Sequence, residues 1–164
     1  MEPNGQVTDR VRDEVRAAVE DRATWLYLIL KELSKDGKIE EIPEVNRAIF
    51  KFGQIKGAKM PPTGTPGEWA RNLISPVGEK VFVQRLVKGD DDEAVIEFSY
   101  CPLVEAWRKL EASPEETALL CRMARCGDHG RIAAFPLELT FEKLLAEGDE
   151  VCRLVVRPHK EKRL

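Results

Sequence analysis

Apolar residues recur at three- and four-residue steps through the first part of the chain. Val7, Val11, Val15, Ala18, Val19, Leu26, Ile29, Leu30 and Leu33 form one stripe, which predicts a long helix from about Thr8 to Leu33. Between Trp25 and Leu30 the residues are apolar all round, so that half is expected to be buried on several sides. A second helix opens near Pro43, where proline suits the first turn, and carries Val45, Ala48, Ile49 and Phe52 on one face. Gly53 supplies its expected stop. Met60 to Gly67 is rich in proline and glycine and reads as a loop, followed by a short helix through Glu68 to Leu73.

After Gly78 the period changes to alternation. Val81 to Val87 and Ala94 to Tyr100 read as two strands joined by the polar connection Lys88 to Glu93. The acidic triplet Asp90, Asp91 and Asp92 lacks the spacing of a calcium loop and reads as a solvated turn. A third helix begins at Pro102 with Leu103, Val104, Trp107 and Leu110 as its stripe. Ser113, Pro114 and Glu116 then give a capping-box signature for a fourth helix running to about Arg125 and ending at Gly127. Leu137, Leu139 and Phe141 alternate with polar residues, and Cys152, Leu154 and Val156 share one face of a closing strand. Ala146 to Asp149 make the turn between them. The pattern predicts a single α+β domain over residues 1–164, with an antiparallel sheet built from two hairpins and covered on one side by four or five helices. Flexible ends are expected at about 1–6 and 158–164, the latter including His159.

Charge narrows the function classes. The net charge of −3, with both signs interleaved, argues against a nucleic-acid or acidic-membrane partner. The apolar run Trp25 to Leu30 is too short to span a bilayer, and the first residues do not read as a secretory signal. A reducing, cytoplasmic setting follows as the expectation, with a small molecule as partner; a homo-oligomer is compatible with this composition.

All four cysteines lie in the last 64 residues. Their intervals match neither a disulfide framework nor a paired zinc ribbon. Cys101 precedes Pro102 and should cap the third helix, where the helix dipole is expected to lower its thiol pKa below about 8.5 unless apolar burial cancels the effect. Cys121 falls among Thr117, Ala118 and Ala124, a small-residue face that implies a close neighbour or a pocket wall. Cys126 falls on the Leu/Met face and is expected in the core, and Cys152 points to the inner face of the sheet. Asp128 and His129, at the expected helix end, offer a carboxylate and an imidazole for proton transfer, or else a turn with a dipole-compensating cation.

These residues resemble the L-2-amino-thiazoline-4-carboxylic acid hydrolase family. The likeness lies in Cys-Pro before an amphipathic helix, a Leu-Cys late in the next helix, an acidic residue beyond it, and the Gly148-Asp149-x-x-Cys152 strand. In the first half it lies in a Trp- and Leu-rich helix, Arg47-Ala48-Ile49, and the spaced Gly53 and Gly57, so that it covers about Ala23 to Val156. Cys101, Cys121, Asp149 and Cys152 match the family pattern. The resemblance implies hydrolysis of a C–N bond in a small cyclic amidine or related sulfur heterocycle. For that reaction the expected catalytic residues are Cys101, to attack the amidine carbon or position a water, and Asp128 with His129, to manage protons, while Cys121 and Cys152 line the substrate pocket. The alternative is a non-catalytic small-molecule or metal-binding module in which Cys101, Cys121 and Cys152 hold zinc or iron. The Gly-Asp-x-x-Cys strand is also similar to that of the four-vinyl reductase domain, a small-molecule-binding module.

Overall fold

A computed structural model describes residues 7–159 of the 164; the expected flexible ends therefore lie largely outside the described residues. Helix α1 (Asp9–Leu33) starts where the Thr8 hydroxyl accepts the Val11 N–H. It is followed by α2 (Pro43–Gly57), α3 (Pro66–Leu73) and α4 (Pro76–Phe82). Strands β1 (Gln84–Gly89) and β2 (Ala94–Phe98) form the first hairpin. Its turn is closed by the Asp90 carboxylate, which accepts the Asp92 and Glu93 N–H groups. Helices α5 (Pro102–Lys109) and α6 (Pro114–Ile132) follow, with the capping box at Ser113 and Glu116 formed in both directions. Strands β3 (Leu137–Lys143) and β4 (Cys152–Pro158) make the second hairpin around a 3-10 turn at Leu145–Glu147.

The hairpins join through β2 and β4, giving an antiparallel sheet in the order β1-β2-β4-β3. This is the α+β architecture that the alternating patterns predicted. The strand side chains of period two divide the sheet's faces. Ala94, Ile96, Leu139, Cys152, Leu154 and Val156 pack inward against Trp69 and Ala70 of α3 and Ile132 of α6. On the other face Glu97 is held between Arg85 and Arg153, and this pairing keeps its carboxyl below the ordinary range. A second core lies on the far side of α6, where Leu120 and Met123 meet Ala23, Tyr27 and Leu30 of α1 and Val104 and Trp107 of α5. There the Trp107 indole donates to the Ala23 carbonyl at 3.1 Å, satisfying a buried polar group. Helix α6 is thus the partition between two cores, and Cys121 packs against both.

Four expectations require correction. Trp25, Leu28 and Ile29 are 73%, 50% and 51% exposed, because α1 buries only the Ala23, Tyr27 and Leu30 face against α5 and α6. Val81 and Phe82 belong to a helix, nucleated when the Ser75 hydroxyl accepts the Gly78 N–H and Pro76 fills the first position. The strand starts only at Gln84, after Val83 breaks the helix in the left-handed region at φ 50°. Helix α4 therefore raises the helix number to six.

The remaining two errors share a cause. Helix α2 does not stop at Gly53, and α6 does not stop at Gly127; they run on to Gly57 and Ile132. A Cβ at Gly53 would collide with the Gly127 carbonyl and lie 2.9 Å from the Arg131 nitrogen. One at Gly57 would strike the Arg131 carbonyl, and one at Gly130 the Phe50 carbonyl. The glycines are the surfaces through which two backbones touch. Their requirement puts Val45, Ile49, Gly53 and Gly57 on the inner face of α2 and leaves Phe52 42% exposed.

Candidate functional site

Cys101 stands where the sequence puts it. After β2, the Ser99 and Tyr100 amides bond to Val83 and Phe82 carbonyls, and the chain then enters α5 at Pro102. Cys101 caps that helix in extended geometry, as a residue before proline must, and its carbonyl accepts the Glu105 N–H at 3.1 Å. Its thiol behaves otherwise than expected. Burial pushes its pKa up to about 11, outweighing the Val104 and Leu103 amides that favour the thiolate. Cys101 is therefore a protonated thiol at neutral pH.

Cys121 and Asp128 both lie on α6, seven residues apart. Seven residues are nearly two full turns, so the two side chains leave the helix within about 20° of each other and about 10 Å apart along its axis. Desolvation pushes the Cys121 thiol to about 12 and raises the Asp128 carboxyl. Asp128 nevertheless keeps some solvent exposure, as do Cys101 and Cys121. The expected small-residue face of α6 is also present. Thr117 and Ala118 border a cleft of about 530 Å³ shared with Arg108, Ala112, Leu145 and Gly148.

Cys152 opens β4 and is fixed by the Gly-Asp-x-x-Cys motif. Gly148 takes φ 96°, turning the chain. The Asp149 carboxylate accepts the Leu144 N–H at 2.7 Å, and the Cys152 sulfur accepts the Leu145 N–H at 3.3 Å. The motif thus closes its own loop, and Asp149 itself is exposed. Burial raises the Cys152 thiol as well. Cys101, Cys121, Cys152 and Asp128 come from α5, α6 and β4 yet feel one another's charge: Asp128 acts on all three thiols, and Cys101 and Cys121 both respond to Cys152. Cys121, on the helix between the two cores, packs against both the core that holds Cys152 and the one that Cys101 borders.

The other candidates fall at the edge or outside. His129 is exposed, with its ring edge-on to Phe141 at 5.7 Å, and partial desolvation lowers its pKa. It still attracts the Asp128 carboxylate, from the last turn of α6. Cys126 is not a core residue. It is partly exposed near Glu41, with its sulfur 3.8 Å from the Arg122 carbonyl, because it lies in line with the half-buried Leu119 and about 120° round α6 from the fully buried Leu120. The zinc or iron alternative is not supported: among the described residues no three His, Cys, Asp or Glu side chains are arranged to hold a metal ion, so Cys101, Cys121 and Cys152 do not form a ligand cage.

Three site residues were missed by sequence reasoning. Arg131, Arg125 and Arg22 all draw on the Asp128 carboxylate, Arg131 most strongly among them. Arg125 and Arg131 flank Asp128 at three-residue steps on α6, about 60° to either side. Arg125 also lies 5.0 Å over the Phe141 ring, and Arg22 reaches across from α1 with its guanidinium 5.9 Å from the Phe52 ring. One signal was available: Arg22 lies in line with Leu26 and Leu30, a charge on an apolar stripe.

The fold is that of a single α+β domain, with an antiparallel sheet covered by helices and buried thiols near a desolvated carboxylate. The chain belongs to the L-2-amino-thiazoline-4-carboxylic acid hydrolase family, whose model matches residues 16–156. No curated protein and no solved structure matches it. Among the described residues no helix is long and apolar enough to cross a membrane.

Proposed function

We propose that Cys101, Cys121, Cys152 and Asp128 line a recess that hydrolyses a C–N bond in a small cyclic amidine or related sulfur heterocycle, with L-2-amino-thiazoline-4-carboxylate as the compound the family points to. The observation that supports this reading is that Asp128 acts electrostatically on all three thiols, which come from α5, α6 and β4. Asp128 is the proton-transfer group. Its carboxyl is raised toward neutrality by desolvation, which makes it a better base than an ordinary carboxylate. Water forms an O–C bond to the amidine carbon and gives its proton to Asp128. Asp128 returns that proton to the ring nitrogen, and as the ring C–N bond breaks the adduct's hydroxyl gives its own proton to the departing nitrogen and becomes the carbonyl, leaving a carbamoyl-cysteine that contains the substrate plus one water. Cys101, protonated, orients the water. Attack by its own sulfur first requires Asp128 to take the thiol proton. His129 supports the charge on Asp128 from the rim, and Cys121 and Cys152 line the pocket.

The test is incubation of purified protein with L-2-amino-thiazoline-4-carboxylate under reducing conditions, with and without divalent metal, and detection of a carbamoyl-cysteine. No turnover in either condition overturns this reading for that substrate. One observation favours a second reading: thiols pushed to about 11 and about 12 suit a quiet pocket wall, as in a non-catalytic small-molecule-binding module. Saturable binding of the heterocycle without product would support that alternative. We place either role in a reducing compartment, where free thiols persist.

A further inference from the structure

We propose that Arg125 and Arg131 are the carboxylate-binding pair of this site, so that the recess takes a heterocycle carrying an acid group and turns its ring toward Asp128. The inference rests on the recess being a small-molecule site.

The Nε atoms of Arg125 and Arg131 are buried and have no hydrogen-bond partner, and neither guanidinium enters an ion pair with any described residue. Burying a guanidinium without an acceptor is costly. Arg153 shows how the fold handles the same problem elsewhere: its Nε is likewise buried, but its guanidinium is paired with Glu97 and lies 3.5 Å from Glu142. No such carboxylates answer Arg125 and Arg131. Around Asp128, three guanidinium groups including Arg22 draw on one carboxyl group. The cluster therefore carries positive charge to spare, with both Nε donors out of water's reach.

An anion completes it. Guanidinium groups match a planar carboxylate with paired N–H donors, and two of them flanking Asp128 leave room for opposite charges on one ligand. The carboxylate would lie against Arg125 and Arg131 and the cationic amidine against Asp128. A neutral heterocycle would leave the pair unanswered, and a simple cation would be repelled.

The test is equilibrium binding of thiazolidine-4-carboxylate, which has no amidine carbon to hydrolyse, measured by calorimetry. Its methyl ester and inorganic phosphate are the comparison ligands. The acid should bind, and the ester should bind at least about tenfold more weakly. Arg125→Gln and Arg131→Gln should each weaken acid binding by about tenfold to a hundredfold, whereas Arg10→Gln, on the exposed start of α1, should leave it unchanged. Arg125→Lys should recover only part of the loss. Thermal melts verify folding; the contacts of Arg131 with Gly53 and Gly57 use its backbone, so the Gln variant keeps them. Equal binding of acid and ester, phosphate binding as tight as the acid, or full acid affinity in both Gln variants would overturn the proposal. Arginine-dependent binding without turnover of the thiazoline would sustain it and sink the hydrolase reading alone. Turnover with unchanged KM in both Gln variants would do the reverse.

Discussion

Alkylation of the thiols by iodoacetamide tests whether burial, rather than the α5 dipole, controls Cys101. Burial raises its pKa from 9.0 to about 11, which lowers the thiolate fraction near neutral pH by about a hundredfold and corresponds to about 3 kcal/mol. Cys126 is also raised, but it is partly exposed on the outside of α6. Peptide mass spectrometry after brief exposure near neutral pH should find Cys126 labelled well before Cys101. In a Cys126→Ser background, Cys101 labelling should accelerate about tenfold per pH unit without levelling off below pH 10. The same shift has a stability consequence. Between pH 9.0 and about 11 the unfolded chain has lost the Cys101 proton and the folded chain has kept it. Stability should therefore fall through that window by up to about 3 kcal/mol and be unaffected by this group below it. Cys101→Ser should remove that part of the loss. Labelling of Cys101 first at neutral pH, or a plateau below pH 9, would refute the argument and restore an activated thiolate.

Gly53→Ala should cost about 2 kcal/mol or more in urea unfolding despite alanine's better helix propensity, because the new methyl meets the rigid Gly127 carbonyl; Gly64→Ala, with nothing within 4 Å, should be close to neutral. Val83→Asn should raise Tm by roughly 2–4 °C, since a β-branched residue at φ 50° is strained and this one is 47% exposed; an unchanged or lower Tm would count against that strain. Asp149→Ala should cost about 1–2 kcal/mol by leaving the Leu144 N–H without its acceptor, and hydrogen exchange at Leu144 and Leu145 should quicken.

Much of the architecture could be read from local signals, because those signals act locally. Pro43, Pro102 and the Ser113 box start helices by satisfying or dispensing with the first N–H groups, which depends on a few adjacent residues. The alternation of Leu137, Leu139 and Phe141 and of Cys152, Leu154 and Val156 likewise identifies the inner face of a hairpin. The failures are nonlocal. Gly53 and Gly127 read as stops because neither residue alone reveals that the other will lie against it. Trp25 to Leu30 read as buried because an apolar run does not say which face a neighbour covers. At the site, Cys101, Cys121 and Cys152 were found as residues, but their ionisation was misjudged for Cys101: the helix start was visible, and the apolar atoms around the thiol were not. Arg125 and Arg131 looked like ordinary charges on a helix, since only the packing of Phe141 and α2 shows that water is displaced from them.

The glycine contacts and the chemistry of the site are linked through the end of α6. Gly127 and Gly130 each weaken a helix by about 1 kcal/mol relative to alanine, so this segment would be expected to fray. It does not, because α2 presses backbone to backbone against it at Gly53 and Gly57. That contact carries the helix five residues past Gly127 to Ile132. Had α6 ended at Gly127, Asp128 and Arg131 would lie in a turn, free to reach solvent and shed their desolvation. Held in the helix, Asp128 is aligned with Cys121 and flanked by Arg125 and Arg131, and Ile132 pins the segment to the sheet. The close approach of α2 is thus what keeps a carboxylate and two guanidinium groups in a place they would not choose as free side chains, and charges held in that way have interaction energy left over for a ligand.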